Sequence, residues 1–302
     1  MRKTNFFYKL IIGLIGILFI NGCSRVNFAQ FEGTVDPDIQ FVHDSILIDD
    51  TLEMRYLIVD GKDKDGLIFY FHGIFRTEYE WVEENGFGSR YYSVLDSNNC
   101  YKDYPVVSIS FGDAYLMIND APDPFNADIE SVFKEKVVEY FRQRLNITTD
   151  KLYLIGHSMG GFNALMLSMR DPEMFPVSAV ISPYTAPVSP WSDEFDIIGK
   201  RYNLGLVNVF LLRQMLTGAF KNVEKWNQYN PFVLATNNDK LPYLIISVAN
   251  DDLPGFNWAV SSFSEHLREQ SIDHYFCDIE GDHWQTCNEL FVRFLGKISE
   301  ID

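Results

Sequence analysis

Basic residues are scarce in this 302-residue chain, which has 25 Lys and Arg against 42 Asp and Glu. Because a protein this acidic repels phosphate backbones, nucleic acid is not an expected partner. No region is low in complexity, and disorder is therefore not expected away from the ends. The 47% hydrophobic content is enough for one large core or two small domains.

Cysteine is also scarce, with four residues in the whole chain. None of them has a spacing to His that is typical of a zinc site, so no metal is expected. Three cysteines lie beyond the N-terminal region, at Cys100, Cys277 and Cys287. An exported protein could pair two of them, and Cys277 and Cys287 are the nearest in sequence. The alternatives are one disulfide or three buried free thiols.

The N-terminus has an apolar run, Leu10–Ile20, that is too short to span a bilayer core. Because it follows the basic stretch Met1–Lys9, it is typical of a signal peptide. The next residues, Ile20-Asn21-Gly22-Cys23, resemble the lipobox of bacterial lipoproteins, in which the Cys receives a diacylglyceryl group. We therefore expect a lipoprotein signal peptide over 1–22, lipidation at Cys23, a tether over 23–36 and a place in the bacterial cell envelope, facing the periplasm or the exterior. The alternative is an ordinary signal peptide.

Strand and helix patterns alternate along the rest of the chain. Ile39–Leu47 and Thr51–Val59 are separated by Asp49-Asp50 and predict an antiparallel hairpin. Buried strands are predicted at Leu67–Phe71, Val106–Ser110, Leu152–Ile155, Val177–Ile181, Tyr243–Ala249 and His274–Ile279, and helices at Ile129–Leu145, Gly161–Met169, Trp258–Gln270 and Asn288–Ile298. This alternation predicts an α/β fold with a mostly parallel sheet, antiparallel N-terminal strands and helices on both faces.

Residues 183–240 interrupt the alternation, because they lie between two predicted strands and are far too long for an ordinary connection. They contain an apolar helical section, Leu204–Leu216. We interpret them as a cap-like insertion over the active site, within a single domain that covers 37–302. A purely structural insertion is the alternative.

One pattern points to nucleophilic catalysis. Gly156-His157-Ser158-Met159-Gly160-Gly161 is a G-x-S-x-G sequence with a predicted strand before it and a predicted helix after it. A sharp strand-to-helix turn raises the serine hydroxyl above the sheet, and the glycines leave room where side chains would collide. The N-terminus of the following helix favours developing negative charge. Ser158 is therefore the candidate nucleophile.

A serine hydroxyl needs a neighbouring base, and His283 is the candidate because it follows the last predicted strand. Asp251 and Asp252 both follow the strand Tyr243–Ala249, and either could orient the imidazole. The order Ser, Asp, His is that of the α/β hydrolases.

The loop His72-Gly73-Ile74-Phe75 follows the strand Leu67–Phe71, at the position that supplies one oxyanion donor in this fold. We assign the backbone amides of Met159 and Ile74 to the oxyanion hole, with Phe75 as the alternative to Ile74.

These motifs together resemble the esterase family of the α/β hydrolases that includes esterase D, which is an S-formylglutathione hydrolase, feruloyl and acetylxylan esterases, siderophore esterases and mycolyltransferases. The matching pieces are Phe71-His72-Gly73, Gly156–Gly161, Trp226 with Asn230-Pro231, Asn250-Asp251-Asp252 and Gly281-Asp282-His283-Trp284. The family places the acid three residues after a Gly at the strand end. Ala249 occupies that Gly position here, so the resemblance selects Asp252. It also implies that no metal and no organic cofactor takes part.

The expected function is carboxylic ester hydrolysis through an acyl-enzyme, on a small-molecule or glycan ester. Acyl or feruloyl esters of extracellular carbohydrate are the favoured substrates, and Trp191, Trp226 and Trp284 are candidate stacking residues. The alternatives are a siderophore esterase, an acyltransferase, or a surface-binding lipoprotein that keeps the fold without catalysis.

Overall fold

The computed structural model describes residues 28–120, 128–201 and 206–300. One sheet of eight strands runs through this part of the chain in the order β1-β2-β4-β3-β5-β6-β7-β8. The strands are β1 (Val42–Ile48), β2 (Leu52–Val59), β3 (Leu67–Phe71), β4 (Val106–Ser110), β5 (Leu152–His157), β6 (Val177–Ile181), β7 (Tyr243–Ala249) and β8 (His274–Ile279). β2 pairs antiparallel with β1 and β4, and every other neighbouring pair is parallel. The predicted α/β class and mixed sheet are confirmed.

Helices follow the strands in the predicted alternation. They are α1 (Phe87–Asp96), α2 (in consecutive segments Ile129–Val132, Phe133–Val137 and Val138–Leu145, the middle one a π-helix), α3 (Met159–Arg170), α4 (Glu194–Arg201), α5 (Leu206–Phe220), α6 (Val223–Tyr229), α7 (Pro231–Asn237), α8 (Phe256–Glu269) and α9 (Asn288–Glu300). A short 3₁₀ helix, Glu78–Val82, precedes α1. α1 and the 3₁₀ helix were not predicted.

Two hydrophobic cores lie on opposite faces of the sheet, because successive side chains of a strand point to opposite sides. In β3, Leu67, Phe69 and Phe71 belong to one core, whereas Ile68 and Tyr70 belong to the other. The first core is completed by α2, α3 and α8, and the second by α1 and α9. Each fully buried aromatic side chain contributes roughly 1.5–3 kcal/mol. A strand that is covered on both faces has little freedom to shift, so the sheet is a rigid base for the loops at its edge.

The folded body begins earlier than predicted. The signal peptide and Cys23 lie outside the described residues, but 28–36, assigned to the tether, pack on the body. Val35 forms a β-bridge with Glu83, and the amide of Asp36 donates to the carbonyl of Val82 at 2.8 Å. Phe31 adds an apolar contact that the polar composition of the segment did not suggest, stacking on Tyr79 with ring centroids 4.8 Å apart.

The insertion between β6 and β7 is helical and comprises α4 to α7. α7 packs on α3 and α8, and Phe220 of α5 meets Phe162 of α3 with ring centroids 6.3 Å apart. The insertion therefore rests on the side of α3, and a position over the active site stays a prediction. Within the three described ranges, no helix has the length and apolar character needed to cross a membrane.

Candidate active site

Ser158 occupies the turn between β5 and α3. Its backbone is in a strained conformation for a non-glycine residue, with φ 54° and ψ −114°. Two glycines allow the turn to close: a Cβ on Gly156 would lie 2.1 Å from the carbonyl oxygen of Gly160, and a Cβ on Gly160 would lie 2.0 Å from that of Phe71. The amide of Ser158 donates to Ile181 of β6 at 2.9 Å. The sheet and the tight helix contact thus hold the strained residue in place.

His283 and Asp252 meet at the same edge of the sheet. Nδ1 of His283 lies 2.5 Å from Oδ1 of Asp252, which also accepts the amide of Leu253 at 2.5 Å. The hydroxyl of Ser182, the residue after β6, donates to Oδ2 at 2.6 Å. Asp251 is exposed, and its backbone amide donates to Gly281 at 3.0 Å. Of the two candidate acids, only Asp252 contacts the imidazole.

The surroundings of His283 favour the neutral, proton-accepting imidazole. The residue is 2% exposed, and the ring of Phe256 packs edge-on against it at 5.1 Å. Burial lowers the pKa of His283. The hydrogen bond that Nδ1 donates to Asp252 opposes this, and positive charge on His157 lowers the pKa again, so the net direction is downward. Since Nδ1 is occupied by Asp252, Nε2 is the nitrogen left for a hydroxyl.

Ser158 follows β5 at the same edge of the sheet as this pair. Among the described residues, the hydroxyl of Ser158 makes no hydrogen bond to His283. Hydrogen bonds between a nucleophile and its base are often long before substrate binds. Two links join the serine to the pair: the preceding residue, His157, is hydrogen-bonded to the carbonyl of His283 at 2.9 Å, and Ser182 follows the strand that receives the amide of Ser158.

The hydrogen bonds of the loop after β3 show which of its two candidate oxyanion donors, the amides of Ile74 and Phe75, is free. The amide of Phe75 donates to the carbonyl of Asp113 at 2.7 Å, and that of Gly73 donates to Glu80 at 2.9 Å. Both amides are therefore occupied. The amide of Ile74, between them, has no acceptor among the described residues. The amide of Met159 has no intrahelical acceptor either, because Met159 is the first residue of α3. Ile74 is a better candidate than Phe75.

Comparison with known proteins identifies the family of this chain. The model of the family described as "Putative esterase" matches residues 56–297. The chain belongs to this family. Membership supports ester hydrolysis as the reaction.

Three solved structures similar to this esterase are named as esterases or hydrolases. A ferulic acid esterase has a TM-score of 0.64 at 15% identity, covering 91% of this chain and 100% of its own. An arylesterase has a TM-score of 0.60 at 18% identity, covering 97% and 92%. An S-formylglutathione hydrolase from Agrobacterium tumefaciens has a TM-score of 0.60 at 16% identity, covering 91% and 98%. At these identities the likeness is one of fold, and it confirms the α/β-hydrolase architecture.

A buried carboxylate that sequence reasoning missed lies beneath the site of the esterase. Glu80, in the 3₁₀ helix, is 2% exposed and contacts Nδ1 of His157 at 3.1 Å. The sequence offered no signal for it, because Glu78, Glu83 and Glu84 are close by and the contact of Glu80 with His157 is created only by the fold.

The three tryptophans differ in position. Trp284 is 44% exposed, and its ring centroid lies 5.3 Å from that of His283, so it faces the solvent beside the site. Trp191 is 37% exposed. Trp226 is 2% exposed and packs edge-on against Phe220 at 5.0 Å. Trp226 is therefore a packing residue, which corrects its assignment as a substrate contact.

Cys277 and Cys287 enclose the segment that carries His283, and their sulfur atoms lie 2.6 Å apart. Both are free thiols in this structure, and both are partly buried. Cys100 is exposed, contrary to the expected buried thiol. Among the residues that the structure describes, no group of three His, Cys, Asp or Glu side chains is arranged to hold a metal ion.

Proposed function

We propose that the protein is a serine ester hydrolase in which Ser158 is the nucleophile, His283 the general base and Asp252 the acid that orients it. One observation carries the proposal: the 2.5 Å contact between His283 and Asp252 and a serine with a strained backbone at a strand-to-helix turn occur at the same edge of the sheet. Such strain is worth about 1–3 kcal/mol and is retained where it serves a function.

The reaction follows from the hydrogen-bond directions. The hydroxyl oxygen of Ser158 attacks the ester carbonyl carbon as its proton passes to Nε2 of His283. The amides of Met159 and Ile74 stabilise the oxyanion, each contributing about 3 kcal/mol in the transition state. His283 then gives the proton to the leaving alcohol, and the acyl-enzyme forms. Water, deprotonated by the same imidazole, releases the acid and restores the serine.

The proposed substrates are acyl or feruloyl esters of extracellular carbohydrate. The exposed ring of Trp284 beside His283 supports an aromatic or sugar group at the site, since both stack on indole. Trp191, also partly exposed, is a second candidate contact.

A fluorophosphonate probe tests the nucleophile. The full-length protein should be labelled, and Ser158→Ala should abolish labelling. Ser168→Ala is a matched control, because Ser168 is a buried serine of α3 whose hydroxyl donates to the carbonyl of Leu165 at 3.1 Å. Absence of labelling in well-folded wild-type protein would contradict the proposal and favour a binding lipoprotein.

A panel of esters tests the substrate class. We expect hydrolysis of feruloyl or acetyl sugars and little activity on simple thioesters. Preferential opening of macrocyclic lactones would identify a siderophore esterase instead, and acyl delivery to an alcohol in place of water would identify an acyltransferase.

We also propose that Cys23 carries a lipid that anchors the esterase in the cell envelope. The support is the sequence alone, through the apolar run and the Cys that follows it. In cell fractionation, wild-type protein should partition with membranes and Cys23→Ser should not. A Cys23→Ser protein that still partitions with membranes would refute the anchor.

A further inference from the structure

The carboxylate of Glu80 is enclosed by hydrogen-bond donors. It receives hydrogen bonds from the hydroxyl of Tyr70 at 2.7 Å, the amide of Gly73 at 2.9 Å, Nε of Arg76 at 3.1 Å and Nδ1 of His157 at 3.1 Å. Burial by itself would raise the pKa of Glu80, but His157, through its charge and hydrogen bond, and Arg76 lower it to about 2. Glu80 is therefore a buried anion at neutral pH.

The two partners of His157 fix the hydrogens on its ring. Nδ1 faces the ionised carboxylate of Glu80, and Nε2 lies 2.9 Å from the carbonyl oxygen of His283. Both partners can only accept a hydrogen bond, so both ring nitrogens must donate. A ring with hydrogen on both nitrogens is an imidazolium cation. His157 is fully buried, and its positive charge is balanced by Glu80.

This ion pair bears directly on the candidate base. The ring centroids of His157 and His283 are 4.9 Å apart, and the bond from Nε2 holds the main chain of His283. Arg76 extends the contact, because its guanidinium lies 5.1 Å from the ring centroid of Trp284 and also pairs with Glu83. Glu80, His157 and Arg76 thus connect the Ser158 turn with the loop that carries His283 and Trp284.

We infer that His157 is a positioning residue: an imidazolium, paired with the buried carboxylate of Glu80, that holds the His283 loop against the Ser158 turn and presents positive charge to the base. This role rests on the proposed function of Ser158 and His283. A buried ion pair is a poor way to gain stability, because removing both charges from water costs several kcal/mol per ion. A neutral pair would suffice for packing alone.

Kinetic variants separate positioning from packing. His157→Gln removes the cation and leaves Glu80 ionised, so we expect kcat to fall about 10- to 100-fold with little change in KM. The acid limb of the kcat/KM profile should move to higher pH, since His283 then faces the negative charges of Glu80 and Asp252 without the cation. Tyr70, His72, Arg76 and Glu83, the other charged or titratable groups around Glu80 and His157, are unchanged.

Glu130→Gln is a matched control for the isosteric variant Glu80→Gln. Glu130 is also a buried carboxylate, 3% exposed, and it accepts hydrogen bonds from the guanidinium of Arg170 and the hydroxyl of Tyr229. Glu80→Gln should lower kcat, whereas Glu130→Gln should leave kcat and the pH profile unchanged. Equal effects of the two substitutions, or loss of kcat in His157→Gln with an unmoved acid limb, would reduce His157 to a packing residue and overturn the inference.

Nitrogen-15 NMR of histidine rings tests the hydrogens directly and does not depend on activity. At neutral pH, one buried histidine should show hydrogen on both ring nitrogens, and its signals should be absent in His157→Gln. In Glu80→Gln that ring should become neutral. A neutral ring at His157 in the wild-type protein would overturn the inference even if the esterase is active. Failure of fluorophosphonate labelling would instead contradict the proposed function and leave the NMR result unaffected.

Discussion

Replacing Asp252 with Asn removes the charge of the triad acid while the structure indicates that its geometry survives. Oδ1 accepts hydrogen bonds from His283 and Leu253, and Oδ2 accepts one from Ser182. An asparagine can keep its carbonyl oxygen at the Oδ1 position and direct its NH₂ group toward Ser182, because a hydroxyl can also accept. The imidazole then retains hydrogen on Nδ1, and Nε2 can still take the serine proton.

Asp252→Asn should therefore lose only the electrostatic part of the transition-state stabilisation that the carboxylate provides. His283 becomes positively charged only as the transition state forms, so all of its attraction to Asp252 acts on the rate. Two unit charges about 4 Å apart interact by about 4 kcal/mol at an effective dielectric constant of about 20. Each 1.36 kcal/mol is tenfold in rate, so kcat should fall about 10³-fold.

The assay is hydrolysis of an aryl ester by full-length wild-type, Asp252→Asn and Asp251→Asn proteins, with KM measured for each. Asp251→Asn is the matched control, because this exposed neighbour does not contact His283, and its kcat should stay close to that of wild type. A loss of less than about tenfold in Asp252→Asn would show that the carboxylate does not stabilise the imidazolium. An equal loss in both variants would refute the choice of Asp252.

Three further outcomes can be measured. Because burial and the charge of His157 lower the pKa of His283, the acid limb of kcat/KM should lie below the ordinary histidine value of 6.5, and a limb above that value would contradict the described environment. The pKa of Glu80 falls from 4.5 to about 2 on folding, so its ionised form stabilises the fold by about 3 kcal/mol above pH 4.5, a contribution that is lost as pH falls toward 2. Urea unfolding across that range should show this dependence in wild type and not in Glu80→Gln; identical slopes would refute it. Gly156→Ala should destabilise the protein by about 3 kcal/mol in thermal unfolding, because the added Cβ meets backbone at 2.1 Å. The control Gly218→Ala, with open space around its Cβ, should be neutral or stabilising, and a similar loss in both would contradict the steric argument.

The strands could be predicted from sequence because their signal is local. A continuous apolar run identifies a strand covered on both faces, and Leu67–Phe71, Val106–Ser110 and Val177–Ile181 have the predicted ends. The segment that ends in α1 has no comparable signal. The N-cap of α1 is Gly86, which makes no side-chain capping bond, and the helix forms because Phe87 and Tyr91 pack on the second core.

The limits of prediction at the site have the same origin. The Ser, His and Asp residue types follow from chain order and strand ends, so the sequence reduced the acid to two neighbouring candidates. The family resemblance favoured Asp252, and its contact with His283 in the structure agrees with that choice. Rejecting Phe75 depended on the fold, because its amide donates to the carbonyl of Asp113. Trp226 was assigned wrongly and Glu80 was missed, because burial is a tertiary property and neither residue type reveals its depth in a single sequence.

Strand register explains how proteins with 15–18% identity can share this fold. Three adjacent parallel strands, β5, β6 and β7, are aligned at this edge, with His157 opposite Ile181 and, one strand further, Ile181 opposite Ser247. Ser158 and Ser182 each follow directly, and each donates its amide to the neighbouring strand end. A slip of two residues would move a strand by about 6.6 Å, more than twice the length of a hydrogen bond. The site therefore depends on register more than on the identity of core side chains, which can vary widely while volume and pattern are kept.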